Sequence, residues 1–528
     1  MHNDPQSIIL GDAFLRNARY FRDKTAFIDS DGACTHGQFA DRVIRLINAL
    51  SRLGIARQGR LAVLSANSRT MIEIAGAAEL GGFIVLPLNH RLAAAELSAI
   101  CLDAQPGVLF YQSAFAETAA RIAEETGTPA IRIDGEAGEA IAGAPGYEAL
   151  LRAETSAQLA RQASADDGVH LVYTSGTTGR PKGVLLGQRG QVEMTRTMAA
   201  SGGIRAGTRL LLVMPLFHVG GKSQQLCCTW HGGTVIVRPR FSAAQWFDLI
   251  QAHRVTVAHL APVMIRSVLD EPERGHDLSS LETISYGSSP IPQRDLARAV
   301  ERFGPIFIQY YGMTETGPLN TMLDKEFHQL SGRPEGDARL GSAGYPHIGG
   351  RIEIRDAEGR ACPDGTAGEV YIDTPTLMIG YWNRELGRAD PVPRGWFATG
   401  DVGYVGRDDA LLYLIDRKKD MIVSGGENIY SREVEEALHA HPAVREAAVV
   451  GVPDEHWGET VAAYVVFREG AAATAEELVA HCRLRLAGYK KPRHIYVVDS
   501  LPRLAATGKI DKKRLRARHW GPEGRFVA

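Results

Sequence analysis

The sequence predicts an α/β protein. It has a large N-terminal part on mainly parallel sheets, a small β-rich piece, and a small α+β unit at the C-terminus. Three observations carry this. Short β-rich runs alternate with Ala/Leu/Glu/Arg-rich helical segments, the pattern of layered sheets with parallel strands. Compact, turn-bounded β runs follow from residue 351. The texture changes again after the charged turn DRKKD at 416–420.

In chain order, strands are expected at 60–64, 83–88, 170–173, 209–214, 234–238 and 306–309, with helices at 39–53 and 117–125. Residues 115–165 are Ala/Glu/Gly-rich with helical periodicity and read as surface structure. The runs 351–355, 368–373 and 411–415 read as a small antiparallel subdomain. After Arg417 come a helix from about Ser431 and strands at 447–452 and 461–467. A capping box, Thr474 with Glu477, then opens a helix to about Leu486. A last strand lies at 494–498. This unit has the size of a domain, so the chain divides into 1–416 and 417–528.

Composition narrows the function. A chain of 528 residues can bury several cores without a staple. Lys+Arg is 59 against Asp+Glu 61, so no global charge favours nucleic acid or an anionic membrane. The cysteines Cys34, Cys101, Cys227, Cys228, Cys362 and Cys482 form no CxxC pair, which argues against a zinc site or disulfide framework. No apolar run approaches the ~20 residues of a membrane span, and MHNDPQSIIL is no signal peptide. The expectation is a cytoplasmic monomer or homodimer, without nucleic-acid partner or integral membrane association.

The strongest local signal is YTSGTTGRPKG at 173–183. A β-like run ends in a loop where glycines let backbone approach an anion. Hydroxyls and N–H groups can donate to phosphate oxygens, and Lys182 adds a mobile charge. It is not a Walker A loop, which needs Gly-Lys-Ser/Thr opening a helix. A flexible Gly/Ser linker would not need one Lys and one Pro at fixed places after a strand.

This segment resembles the phosphate loop of the adenylate-forming superfamily: acyl-CoA synthetases, peptide-synthetase adenylation domains and luciferases. The other family segments follow in order: PLFHVGG at 215–221, YGSSP at 286–290, YYGMTETG at 310–317, WFATGD at 396–401, DRKKD at 416–420, SGGEN at 424–428 and LPRLAATGK at 501–509. The resemblance covers nearly the whole chain. It implies a large N-terminal domain with two mainly parallel sheets and a small β-rich subdomain, followed by a small mobile C-terminal domain hinged near Lys419.

The resemblance also implies roles. Thr174, Ser175, Gly176, Thr177, Thr178, Gly179 and Lys182 would cradle phosphate. Gly287, Ser288 and Ser289 would lie against adenine, with Tyr310, Tyr311, Gly312 and Met313 beside it and Tyr311 stacked on the ring. Thr314 would donate to the α-phosphate and Glu315 would ligate Mg²⁺, a hard ion suited to carboxylate and phosphate oxygens. Asp401 and Arg417 would hold the ribose. Lys509 would bridge the substrate carboxylate and the α-phosphate. Two anions must be brought together in line, so positive charge matters more than a protein nucleophile. On composition alone Lys509, Lys512 and Lys513 would read as a solvated tail, Tyr310 and Tyr311 as core aromatics, and Asp401 as a turn residue.

His218 would gate the carboxylate site without acting as a base. The acyl pocket would take in His218, Val219, Gly220, Ser288, Tyr310, Gly312 and Gly317, the glycines suggesting room. Ser288 departs from the Gly or Ala of many relatives and would narrow the pocket or hydrogen-bond the acyl chain. Lys222 would meet a distal carboxylate or point to solvent. For coenzyme A (CoA), Gly425 and Gly426 with Glu427 would pass pantetheine. Trp457 would pack beside it, and Tyr489, Lys490, Lys491 and Arg91 would contact the nucleotide. The implied activity is an AMP-forming acid:CoA ligase using ATP, Mg²⁺ and CoA, with an aromatic or medium-chain aliphatic acid. The rival is a stand-alone adenylation enzyme loading a carrier-protein thiol.

Overall fold

The apolar runs are strands because both of their faces are covered. Thr234–Val237, Val257–Leu260 and Val108–Tyr111 are buried at every position, as strands between helical layers must be. The computed structural model describes residues 8–135, 146–160, 162–174, 181–272, 275–332, 338–425, 427–504 and 508–520.

Two large sheets dominate. A nine-stranded sheet runs Tyr345–Pro346, Gly317–Leu323, Phe307–Met313, Thr283–Gly287, Val257–Leu260, Arg209–Leu212, Thr234–Val237, Thr25–Asp29 and Gly32–Thr35. Its six central strands are parallel and its edges antiparallel. An eight-stranded sheet runs Arg388–Pro391, Gly380–Asn383, Lys182–Gly187, Gly168–Thr174, Ile84–Leu88, Arg60–Leu64, Val108–Tyr111 and Ala130–Arg132. From Gly168–Thr174 onward it is parallel.

One core lies between the sheets. Leu61, Val63 and Val85 from one and Leu210, Val235 and Ile308 from the other share it with helices His36–Arg52 and Arg69–Gly81. Trp246, Ile265 and Leu296 cover the outer face of the nine-stranded sheet; Leu97, Ile100 and Ile122 cover that of the other. The result is five layers, αβαβα. Beside them stands a four-stranded antiparallel sheet of Arg351–Arg355, Gly368–Asp373, Phe397–Val405 and Leu412–Arg417.

The last sheet begins five residues after Arg417, at Ile422. Its order is Glu427–Ile429, Ile422–Ser424, Gly458–Phe467 and Val444–Asp454, with His494–Val497 parallel to Gly458–Phe467. Its long hairpin pairs Glu446 with Val466 at one end and Asp454 with Gly458 at the other. Eight residues at ~3.3 Å each put those ends ~26 Å apart. Thr474 and Glu477 form the expected capping box.

Some elements differ from the sequence reading. The helix expected at 39–53 starts at His36, because Thr35 and Gln38 form a capping box ahead of it. The strand expected at 306–309 runs on to Met313, held by its hairpin partner Gly317–Leu323. Residues 115–165 are not merely surface. Ala130–Arg132 is an edge strand, and helix Tyr147–Arg152 buries Tyr147. The Tyr147 hydroxyl donates to the Glu73 carboxylate at 2.9 Å, and Arg42 pairs with the same group at 2.7 Å. That cross-chain network leaves no local sequence signal. Among the described residues, no helix is long and apolar enough to cross a membrane.

Candidate active site

The candidate site lies at the C-terminal ends of the parallel strands, where open α/β sheets bind ligands. Strand Phe307–Met313 turns back through Thr314, Glu315 and Thr316 into Gly317–Leu323. Side chains alternate along a strand, so Tyr310 and Tyr311 face opposite sides. Tyr311 donates its hydroxyl to Asp401 Oδ2 at 2.7 Å. Tyr310 turns into the inter-sheet core, stacked on His259 with centroids 6.4 Å apart. Of the two, only Tyr311 meets Asp401.

Asp401 and Arg417 are register partners on neighbouring strands, with Arg417 Nε 2.5 Å from Asp401 Oδ1. Burial raises the Asp401 pKa, and Arg417 and the Tyr311 hydroxyl work against that rise. The carboxylate has about four lone-pair positions, so two further donors such as ribose hydroxyls could share it. Gly287 ends a strand beside Tyr310. The next residue, Ser288, has φ +72°, a strained conformation outside glycine, and is exposed. Ser289 is half-buried beside it.

The phosphate side is a hairpin. Thr174 and Lys182 are register partners at its open end. Ser175, Gly176, Thr177, Thr178 and Gly179 lie outside the described residues. A strand, not a helix, follows Lys182, so the loop differs from Walker A in structure as in sequence. Tyr381 joins the two charged groups here. Its hydroxyl donates to Glu315 Oε1 at 3.3 Å, and Lys182 Nζ stands 5.1 Å from its ring centroid. Burial first, then Glu315, pushes the Tyr381 pKa up to about 12. Sequence reasoning missed Tyr381; the aromatic pair Tyr381 and Trp382 after Gly380 was the available signal. Among the described residues, no group of three or more His, Cys, Asp or Glu could hold a metal. Glu315 therefore fits Mg²⁺ only as one ligand among phosphate and water oxygens.

Lys509 arrives from the small C-terminal sheet. Gly508, at φ +71°, turns the chain, and the Arg503 guanidinium donates to the Gly508 carbonyl at 2.9 Å. Arg503 also pairs with Glu446 at 2.7 Å, and Glu446 lies 3.9 Å from Arg266 of the large part. Lys509 keeps solvent contact in the cleft. The surrounding protein mass first, then the like charges of Arg417 and Lys419, lower its pKa to about 8, with Asp401 opposing. The structure thus brings Lys509, Asp401, Arg417 and Tyr311 together.

His218 caps helix Val219–Trp230, its ring 4.7 Å from that of Phe217. The glycines do not all supply room, and this corrects the sequence reading. A Cβ on Gly312 would stand 2.2 Å from the Gly317 carbonyl oxygen, and one on Gly317 would stand 2.8 Å from Thr376 Oγ1. Gly312 lets the two strands of its hairpin close, and Gly317 admits the Thr376 side chain, so both are packing positions. At Gly220 the nearest atom to such a Cβ is His259 Nε2 at 3.5 Å, then Ser288 Oγ at 3.9 Å; that side alone is open. Lys222 does not point to solvent. It is buried and paired with Glu79 at 2.7 Å.

The proposed CoA residues fall in two groups. Arg91 lies over the Phe217 ring, 5.7 Å from its centroid, and so stands beside His218. Trp457 is exposed, not core, and its carbonyl accepts from the Gly425 N–H at 2.9 Å. Glu427 pairs with Ser424 across the turn; Gly426 lies outside the described residues. Tyr489 is exposed and Lys491 half-buried. Lys490 contacts both Glu433 oxygens at 2.8 and 2.9 Å, so its charge is partly neutralised.

Comparison with known proteins gives consistent matches. The sequence profile of AMP-binding enzymes matches residues 14–382, and that of the AMP-binding enzyme C-terminal domain matches 433–509. A medium/long-chain fatty acid–CoA ligase of Mycobacterium tuberculosis is 35% identical, over 96% of this chain and 89% of the relative. A feruloyl-CoA synthase of an Amycolatopsis species is 35% identical, over 96% and 99%. Among solved structures, o-succinylbenzoate CoA synthetase of Bacillus subtilis, in complex with its acyl-adenylate intermediate, superposes with a TM-score of 0.83 at 30% identity. That match covers 98% of this chain and 100% of the other.

Proposed function

The chain belongs to the AMP-binding enzyme family, and from that membership we propose that it is an AMP-forming acid:CoA ligase working in two steps. In the first, a carboxylate attacks the α-phosphorus of ATP, and pyrophosphate leaves. In the second, the CoA thiolate attacks the acyl carbon, and AMP leaves. The observation that carries this is the convergence of Lys509 on the Asp401, Arg417 and Tyr311 cluster from a separate sheet. Asp401 and Arg417 hold the nucleotide in place. Lys509 neutralises charge where carboxylate and phosphate meet, a preorganised electrostatic role. Glu315 would hold Mg²⁺ in part, and the ion would supply charge neutralisation on the phosphates.

The large part ends near Asp416 and the small domain turns about Lys419. Arg516 of the small domain donates to the Lys419 carbonyl at 2.8 Å and pairs with Asp420 at 2.7 Å, which supports a pivot N-terminal to Asp420. Gly425 and Trp457 then serve the second step. An aromatic or aliphatic acid fits the apolar surroundings of His218. A cytoplasmic setting fits six cysteines that are all thiols.

The test is a panel of acids incubated with MgATP. Pyrophosphate release without acceptor, and an acyl-CoA product by mass spectrometry with free CoA, are expected. Turnover only with a carrier-protein thiol would overturn CoA as acceptor.

The Lys509 pKa of about 8 sets a pH dependence. Its value is lowered from 10.5, so the ammonium is present below pH ~8 and lost above it. kcat/KM reports the free enzyme, so for adenylation it should be level up to pH ~8, then fall about tenfold per unit. Lys509→Arg should abolish that fall. A profile unchanged to pH ~9.5 in the wild type would show that this charge is not required.

A further inference from the structure

The turn that carries Lys509 is held from outside the site. Arg503 donates through Nη1 to the Gly508 carbonyl at 2.9 Å and pairs through Nη2 with Glu446 Oε2 at 2.7 Å. The other Glu446 oxygen, Oε1, lies 3.9 Å from Arg266 Nη1. Arg266 belongs to helix Pro262–Asp270 of the large part, and its Nε donates at 3.0 Å to Asp295 Oδ2 on helix Gln293–Phe303. Asp295 is buried, so Arg266 is fixed from behind. A chain of charged contacts therefore runs from the large part toward Lys509: Asp295, Arg266, Glu446, Arg503 and the Gly508 carbonyl. Asp295, Arg266 and Glu446 stand in none of the segments that carry the family resemblance.

Charge makes Glu446 the decisive link. Arg294 and Arg298 share the helix of Asp295, and Arg468 follows strand Gly458–Phe467 of the small domain. Burial first, then Arg468 and more weakly Arg298 and Arg266, lower the Arg294 pKa, with Asp295 opposing. Arginines of the two parts thus stand close to one another. His439 lies within reach of the same charges. Burial first, then Arg266, push its pKa down to about 4, so it is neutral at pH 7. Seating the small domain therefore sets Arg468 and Arg503 against Arg266, Arg294 and Arg298, an arrangement that is repulsive by itself. Glu446 sits between Arg266 and Arg503 with one oxygen toward each, and turns repulsion into attraction. The Arg266 and Glu446 side chains are only 23% and 16% exposed, so solvent and salt screen this pair less than an open surface pair.

We propose that Arg266 and Glu446 are positioning residues for adenylation: their pair seats the small domain in the pose that delivers Lys509, and it breaks when that domain turns for acyl transfer. The inference rests on the ligase reading above. Single turnovers separate the two steps: pyrophosphate release from MgATP and acid, and thioester formation from supplied acyl-AMP and CoA. Glu446→Gln should slow the first step at saturating ATP by about tenfold or more, the scale of coupling within one charged network. The ATP concentration for half-maximal rate should stay close to wild type, because Asp401 and Tyr311 still hold the nucleotide. The second step should run at or above the wild-type rate. Arg266→Gln should show the same split, and Arg266→Lys, which keeps the charge, should restore most of the first step. The double variant Arg266→Gln with Glu446→Gln should be at most about threefold slower than Glu446→Gln alone, since both changes remove one contact. Unchanged adenylation in Glu446→Gln, an equal loss of both steps in that variant, or losses that multiply in the double variant would each overturn the proposal. Absence of pyrophosphate release by the wild type with every acid would instead overturn the ligase reading, and this inference with it.

Discussion

Replacing Lys509 with alanine should reduce acyl-adenylate formation by ~10²–10³-fold or more, the scale of losing one preorganised charge at the reacting centre. The same variant should still convert supplied acyl-AMP and CoA to thioester. The side chain is exposed at the end of a tight turn, and Gly508 and Arg503 shape that turn without it. The substitution therefore costs the fold little. Its effect falls on one step because Lys509 belongs to one docking pose of the small sheet. Pyrophosphate release in a single turnover measures the first step, and thioester appearance from added acyl-AMP the second. Equal loss of both would show that Lys509 is not specific to adenylation.

Gly425→Leu should show the opposite pattern. Gly425 has φ +60°, and a Cβ there would stand 2.5 Å from Trp457 Cε3. The turn must distort or the indole must move. An error of ~1 Å in placing a reactant costs about 10²-fold, so acyl transfer to CoA should fall about that far. Adenylation should stay within about threefold, because Lys509 is tethered at the other end of the long hairpin. Acyl-AMP should accumulate on the enzyme, visible by quench and chromatography. A matching fall in pyrophosphate release without CoA would mean that the loop has another task.

The parts of the site that could be read directly are those written in contiguous segments. Asp401, Arg417, Tyr311 and Lys509 each sit in a short contiguous segment whose local residues mark it, and the structure gathers them. Tyr381 and Glu79 were missed because each acts on residues far away in the chain, on Glu315 and on Lys222 and His170 respectively. The glycines misled for a related reason. Whether a missing side chain leaves space depends on the facing strand, which filled it at Gly312 and Gly317 but not at Gly220. The layered fold was legible because strands buried on both faces are continuous apolar runs. Tyr147 was not, since a buried hydroxyl is set by a distant carboxylate.

The long hairpin of the small sheet has a kinetic consequence. With Arg503 and Lys509 tethered at its Glu446 end and the Gly425 turn at its Asp454 end, one rigid body cannot present both to the same cleft. On the two-step reading proposed above, thiol then has no access while Lys509 is seated, and pyrophosphate departs before CoA engages. Steady-state rates measured against ATP at several fixed CoA concentrations should then give parallel double-reciprocal lines, the signature of a ping-pong scheme. Lines that intersect would require a ternary complex of ATP, acid and CoA, which this spacing forbids.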